Sequence, residues 1–291
     1  MSIAAYRDRE LPRTVADCLK RASRPDAVAF GICWQGLGPE ESAEGLGLPA
    51  RGVRLRCYDS RDSRGACWAR NVAHGLRRGE EFTLQTDSHM RFHDGWDDDL
   101  LAMSEWCGPR SVLSTYPASY EPPDDLQACG TYALMPRRFD RNGILSFRGA
   151  PIVAPAPVPS AWLAGGFMFA PSAFFDEVPY DPAVYFLGEE ASLAARGWTR
   201  GWDYYAPHRC VMHHYYVRRV EPKHWGDNGS WARTDDASVR RVRHLLGVSR
   251  SGDPSVVEGL DGPMGLGSAR SLWQFEQFAG VSFRRQRIDP R

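Results

Sequence analysis

Between Arg13 and Ala22, apolar residues fall at Val15, Cys18, Leu19 and Ala22, the spacing of one helix face, and a helix is expected there. Ala27 to Trp34 is a mostly apolar run of strand length, bounded by Pro25–Asp26. Val53 to Tyr58 alternates and reads as a second strand. A polar, glycine-rich stretch, Gly36 to Gly47, separates the two. Trp68 to Leu76 reads as a helix that Gly79 stops, and Glu81 to Thr86 as a strand running into Asp87. Leu100 to Trp106 reads as a helix, with Asp97, Asp98 and Asp99 near its N-terminus, where carboxylates suit the dipole.

Strands alternating with helices over residues 1–115 predict an α/β layer on a largely parallel sheet. The next stretch, Pro117 to Pro159, is rich in proline, glycine and charge. It reads as a long connection of functional or mobile type, with a short strand at Thr131 to Leu134. Beyond it the pattern predicts a buried strand over Ala161 to Ala170, a short helix over Glu190 to Arg196 and a strand over Val211 to Tyr216. Helices follow over Ala237 to Leu246 and Ala269 to Phe278, with an extended loop, Ser249 to Ser268, between them. No repeat or linker divides the chain, so residues 1–291 are expected to form a single α/β domain.

Composition narrows the function. With 43% hydrophobic and 25% charged residues, the 291-residue chain is an ordinary globular sequence. Thirty-six basic side chains balance thirty-six acidic ones, which argues against a general nucleic-acid or membrane-surface binder. No apolar run approaches the roughly 20 residues that span a bilayer, and Met1 to Leu11 is polar and charged, without the pattern of a secretory signal. Seven scattered cysteines with no C-x-x-C spacing fit reduced thiols in a cytoplasm. Lys20 and Lys223 are the only lysines, an arginine bias that matches the codons of a GC-rich gene.

Four groups of residues carry candidate chemistry. Asp87-Ser88-His89 follows directly on a strand, and in open α/β sheets ligands bind beyond the carboxyl ends of strands. A carboxylate and an imidazole two residues apart can converge on Mn²⁺ or a similar divalent ion, which can neutralise charge on a leaving diphosphate. His213-His214 would add a third ligand, but neighbours on a strand point to opposite faces, so only one of the two can face such an ion. Glu189-Glu190, after Gly188, can orient an acceptor hydroxyl or accept its proton, or simply suit a helix N-terminus. Gly165-Gly166 permits close approach of a ligand, or forms a bulge. Aromatic residues crowd the second half, from Trp162 through Trp231, as they do where sugars or peptides bind and also in cores. The absence of G-x-G-x-x-G after the first strand, of a Walker loop and of G-x-S-x-G removes dinucleotide, P-loop and ordinary serine hydrolase readings.

An ordered set of segments resembles the GlcNAc-transferase family, which includes cytoplasmic enzymes that attach N-acetylglucosamine to a hydroxyproline of Skp1. The set comprises Ala69-Arg70, Gly79-Glu80-Glu81, Leu84 through Phe92 and Gly95-Trp96-Asp97. It continues with Ala164-Gly-Gly-Phe-Met-Phe, Phe186-Leu-Gly-Glu-Glu, Arg196 through Pro207, His213-His-Tyr-Tyr and Pro222-Lys-His-Trp225. Tyr6 through Pro12 and Leu266 through Arg270 also fit, so the resemblance spans nearly the whole chain.

The resemblance implies a glycosyltransferase A-type fold, Rossmann-like with a mixed central sheet. A nucleotide-binding half would occupy about residues 1–115 and an acceptor half about 116–291. It implies Asp87, His89 and His213, with His214 as the alternative, as ligands of Mn²⁺ or Mg²⁺. The strand Phe30 to Trp34 is expected beside uracil. Arg70 and Ser88 are expected at the nucleotide, Gly165 and Gly166 at the donor sugar, and Glu189, Glu190, Trp202 and Asp203 around the acceptor. Gly65-Ala66 departs from the Gly-Pro expected before the Ala-Arg helix.

The implied activity is transfer of a sugar, N-acetylglucosamine first, from a UDP-sugar to a peptide or protein hydroxyl with retention of configuration. A small natural product is the alternative acceptor. A metal-dependent hydrolase using the same cluster, or a non-catalytic sugar- or peptide-binding module, are the competing classes. A homodimer is admitted; nucleic-acid and membrane partners are not expected.

Overall fold

A computed structural model describes residues 1–38, 42–219 and 221–289, so part of the glycine-rich stretch from Gly36 to Gly47 lies outside the described residues. The chain begins with strand β1 (Ser2–Tyr6) and helix α1 (Leu11–Arg21), then β2 (Phe30–Gly36) and β3 (Val53–Asp59). Helix α2 (Ala66–His74) leads to β4 (Phe82–Asp87), β5 (Met90–Phe92) and helix α3 (Trp96–Cys107). Then come β6 (Ser111–Ser114), β7 (Ala118–Glu121), β8 (Asp125–Leu126), the long pair β9 (Thr131–Phe139) and β10 (Leu145–Ile152), β11 (Val158–Ser160) and β12 (Phe167–Pro171). The remainder holds α4 (Ala173–Glu177), α5 (Glu189–Thr199), β13 (Asp203–Ala206), β14 (Met212–His214), α6 (His224–Asp227), α7 (Trp231–Leu245), α8 (Pro254–Val257) and α9 (Leu272–Ala279). A final hairpin pairs β15 (Val281–Ser282) with β16 (Arg287–Ile288).

Eight strands form one sheet in the order β11-β13-β6-β12-β4-β1-β2-β3. The neighbours of β1, β2 and β3 run parallel, whereas β12 is antiparallel to both β4 and β6, so the sheet is mixed, as the resemblance implies. Helices α1 and α3 cover part of it through Leu11, Val15, Cys18, Leu100 and Met103, packed against Ile3, Ile32 and Leu84. A second apolar cluster joins Trp162, Phe174, Phe175, Ala194, Trp198 and Phe275. Of the second-half aromatics, Trp162, Trp198, Trp202 and Tyr204 are core, whereas Tyr216, Trp225 and Trp231 stay exposed. Burying such rings contributes on the order of 2–3 kcal/mol each.

Four expectations change. Strand β1 lies in the Met1–Leu11 segment read as a polar end. Its Ile3 and Ala5 are fully buried in the sheet, but five residues flanked by Arg7-Asp8-Arg9-Glu10 are too few to stand out by pattern. The Pro117 to Pro159 connection is not a bare loop. It holds β7, β8 and the β9–β10 hairpin. Pro136 and Pro151 are tolerated because this two-stranded sheet is all edge, and a register shift between Ser146 and Phe147 falls opposite Pro136. The strand expected over Ala161 to Ala170 is shorter: only Phe167–Pro171 pairs as β12, while Gly165-Gly166 turns the chain between Ala164 and Phe167. Finally, Cys129 and Cys210 are joined in a disulfide with Cα atoms 6.0 Å apart, against the expectation of seven reduced thiols. Among the described residues no helix is long and apolar enough to cross a membrane.

Candidate functional site

Asp87 is the last residue of β4, at the carboxyl edge of the large sheet. Its Oδ1 accepts a hydrogen bond from Arg70 Nη2 at 2.9 Å, and its Oδ2 lies 3.1 Å from His214 Nε2. Burial alone would raise this carboxyl. The hydrogen bond to His214 and the charge of Arg70 outweigh it and hold the group well below the ordinary carboxylate range. The His89 ring stands 4.7 Å from that of His214. His89 Nδ1 sits 2.6 Å from Asp8 Oδ2, a carboxylate that also accepts from Ser88 Oγ at 2.6 Å. Burial opposes the ionised form of Asp8, but His89, Arg218 and Ser88 together keep it ionised. An ionised carboxylate only accepts, so Nδ1 of His89 donates to Asp8, and Nε2 takes no part in that bond.

Donor atoms of Asp87, His89 and His214 thus lie within 4.8 Å of one another. One carboxylate and two imidazoles suit Mn²⁺ or a similar ion, and Asp8 behind His89 is the outer-shell carboxylate that such sites use to fix a ligand's tautomer. The donor set therefore fits the implied metal.

His213 is the correction. Strand β14 pairs with β5 so that His214 lies opposite Met90 and His213 opposite Arg91. This register turns His214 toward Asp87 and sends His213 to the other face. There its Nδ1 is 3.2 Å from His93 Nε2, and its Nε2 is 2.9 Å from the Gln127 carbonyl.

Two cavities meet at this cluster and share Arg70, Asp87, Phe186, His214 and Tyr216. One, of about 370 Å³, is lined by Tyr116, Gly165, Gly166, Leu187, Glu189 and Glu190 among others. The other, of about 330 Å³, lies beyond the ends of β1 and β2 and is lined by Ala4, Tyr6, Gln35, Ser88, His89, Arg218, Lys223 and Trp225 among others. From the strand expected beside the base, Phe30 to Trp34 stays inside the sheet, and only Gln35 beyond it reaches the cavity.

Arg70, from α2, is 7% exposed and links Asp87 to Glu189 through its two terminal nitrogens. Glu189 is consumed by this pairing and by the Tyr180 hydroxyl, which donates to it at 2.9 Å. Glu190 faces the first cavity. It accepts from the Gly165 N–H at 3.0 Å and from the Tyr116 hydroxyl at 2.8 Å. Burial dominates and pushes its carboxyl up from 4.5 to about 7, against the pull of those two hydrogen bonds. The glycines are required by space. A Cβ on Gly165 would stand 2.4 Å from Glu189 Oε1, and one on Gly166 would stand 2.8 Å from Asp87 Oδ2.

Trp202 and Asp203 are not part of the cleft. Trp202 is buried in the core, packs against Phe174 and donates to Glu177 at 2.9 Å. Asp203 is at the start of β13 and pairs with Arg270 at 2.7 Å. Because β13 runs parallel to β6, the beginning of β13 lies at the sheet edge opposite the carboxyl end where the cavities open. Sequence reasoning assigned no role to Tyr116 and Arg218, which carry no local pattern, nor to Asp8, although Asp8 lies in the family-like segment Tyr6 through Pro12. Lys223 had a signal in its rarity and in the segment Pro222-Lys-His-Trp225.

A model of the glycosyltransferase (GlcNAc) family matches residues 1–46 and 40–285. No curated protein matches the chain. Among solved structures, the chain is similar to GalNAc-T7 crystallised with UDP, GalNAc and Mn²⁺, with a TM-score of 0.64 and 16% identity. It covers 95% of its own length and 55% of the other chain, so it spans about half of that protein. It is also similar to residues 1–349 of S. aureus TarS in complex with UDP, at a TM-score of 0.52 and 10% identity. The same fragment in complex with UDP-GlcNAc gives 0.51 and 11%, covering 96% of this chain and 70% of that one. At these identities the likeness concerns the fold alone, the A-type α/β architecture that the sequence led us to expect.

Proposed function

The chain belongs to the GlcNAc glycosyltransferase family, and from that premise we propose a metal-dependent transfer of N-acetylglucosamine from a UDP-sugar to a peptide or protein hydroxyl, with retention of configuration. One observation carries the reading: a carboxylate and two imidazoles converge on the wall between two cavities, one suited to each substrate. Two fold neighbours, one crystallised with UDP, GalNAc and Mn²⁺ and one with UDP-GlcNAc, support the donor class.

Asp87, His89 and His214 are the residues that would hold Mn²⁺ or Mg²⁺, and when bound the ion supplies charge neutralisation for a departing diphosphate. The protein's own groups complete the donor side. Arg218 and Lys223 place two cations in the cavity beyond β1 and β2, where a diphosphate needs them. Ser88 and Asp8 hold His89 in place. Gly165 and Gly166 let Glu189 and Asp87 approach the turn and line the cavity where the sugar would lie. On the acceptor side Glu190 is the orienting group. Once ionised, above a pH of about 7, it accepts a hydrogen bond from the incoming hydroxyl. Residues from both sides of position 115 line the cavity proposed for the nucleotide, and the large sheet likewise takes strands from both sides. A cytoplasmic setting, where thiols stay reduced, belongs to the same proposal.

The test is UDP release from a panel of UDP-sugars, with Mn²⁺ and with a chelator. One sugar should give UDP only with metal, and Asp87→Ala, His89→Ala and His214→Ala should each abolish it while the far-ultraviolet spectrum stays unchanged. UDP release that ignores the chelator would sink the metal assignment. The anomeric proton of the product, read by NMR, should show retention; inversion would make Glu190 a general base instead of an orienting group.

A further inference from the structure

A second cluster sits on the opposite face of β14. We infer that His93, Cys129, Cys210 and His213 form a zinc site when the two cysteines are reduced. The four donor atoms lie within 4.8 Å of one another. They come from three segments: His93 just after β5, Cys129 in the turn between β8 and β9, and Cys210-x-x-His213 leading into β14. Two thiolates and two imidazoles are the donor set that selects zinc among common divalent ions.

The imidazoles are arranged as ligands and have no other evident task. The two rings stack with centroids 5.0 Å apart. Nε2 of His93 lies 3.2 Å from Nδ1 of His213, 3.4 Å from Cys129 Sγ and 3.9 Å from Cys210 Sγ. The Gln127 carbonyl accepts from Nε2 of His213 at 2.9 Å, which leaves the lone pair on Nδ1, aimed at the other three donors. A backbone carbonyl behind a histidine is the usual outer-shell partner of a zinc ligand. A disulfide alone would require neither ring. The His93 N–H donates to the Val211 carbonyl at 2.9 Å, so the segments are already held in register.

The chemistry balances. The Cys129–Cys210 bond takes two electrons and two protons from a thiol reductant, which is itself oxidised to a disulfide. Each thiol then loses its proton to solvent as a sulfur–zinc bond forms. The ion would tie β5, β14 and the turn before β9 together. It would thereby fix the strand whose next residue, His214, reaches Asp87, so these four are positioning residues for the other site.

The test uses the full chain purified in a thiol reductant from zinc-supplemented cells. Elemental analysis should give about one zinc per chain, and X-ray absorption at the zinc edge should show two sulfurs at about 2.3 Å and two nitrogens at about 2.0 Å. Cys129→Ser and His93→Ala should each lower the zinc content to below about a tenth per chain, whereas Asp87→Ala should keep it. Cobalt substitution of the wild-type protein gives a readout free of variant folding, because thiolate ligation produces an intense charge-transfer band. Reduced wild type without zinc, a zinc shell containing only nitrogen and oxygen, or a cysteine pair that stays oxidised in reductant would each overturn the inference. None of these results depends on sugar transfer.

Discussion

At the scale of single residues, the donor cluster depends on groups that never touch an ion. Asp8 sets the proton of His89, and Asp8→Asn should weaken the Mn²⁺ half-saturation of transfer by about 10–100-fold, the usual cost of losing an outer-shell partner. Turnover at saturating Mn²⁺ should fall less; an unchanged half-saturation would remove Asp8 from this role. Glu190 sets a second expectation. Its folded carboxyl lies at about 7 against an ordinary 4.5. The folded protein therefore holds this proton more tightly than the unfolded chain does. The stability it contributes is present below about pH 4.5 and is lost as pH rises through about 7. Glu190→Gln keeps one accepting oxygen and cannot ionise, so its melting temperature should gain on the wild type as pH rises from about 5 to about 8. The same variant should flatten the fall in transfer rate below neutrality. A wild-type-like profile in both measurements would show that Glu190 does not titrate there.

At the scale of elements, register and turns decide which side chains meet. Pairing of His214 with Met90 selects one of two adjacent histidines. The D-x-H pair was legible in the sequence because both members sit on one strand and its following turn. Which histidine joins them was not, because its face depends on contacts between strands more than a hundred residues apart in sequence. The turn at Gly165-Gly166 is the other case. In Gly166→Ala the new Cβ would stand 2.8 Å from Asp87 Oδ2. If the Asp87 carboxylate gives way, the rate should fall, by up to about 10²-fold for a shift approaching 1 Å. Transfer assays across a Mn²⁺ titration should show the loss without a change in secondary structure; full activity would mean that the turn yields instead of the carboxylate. Thr131 to Leu134 was legible as the start of β9, but the rest of the β9–β10 hairpin was not, because its prolines and Gly149 argue against strands, and only its isolation from other strands makes them tolerable.

At the scale of the molecule, buried charge ties the C-terminal helices to the segment before α5. Arg241 on α7 donates from Nε to Asp181 at 2.7 Å and from Nη1 to the Val256 carbonyl at 2.8 Å, with both members of the ion pair nearly inaccessible. Removing one member leaves the other as an uncompensated buried charge. Asp181→Ala should cost about 3–5 kcal/mol in urea unfolding; a loss below about 1 kcal/mol would mean that water reaches the guanidinium.

The sequence by itself determined the α/β class, most helices and strands of the first half, the Asp87–His89 pair, Glu189–Glu190 and the family resemblance. Each of these is written in local spacing or in ordered segments along the chain. Tertiary structure alone decided that β1 lies inside the sheet, that His214 and not His213 joins Asp87, and that Trp202 and Asp203 lie away from the cleft. It alone set Asp8 behind His89, brought Tyr116 and Arg218 to the cavities, and gathered His93, Cys129 and Cys210 around His213. The physical reason is common to all of them. The face a strand residue presents is set by the register of its partner strand, and that register is fixed by distant packing that no local window of sequence contains.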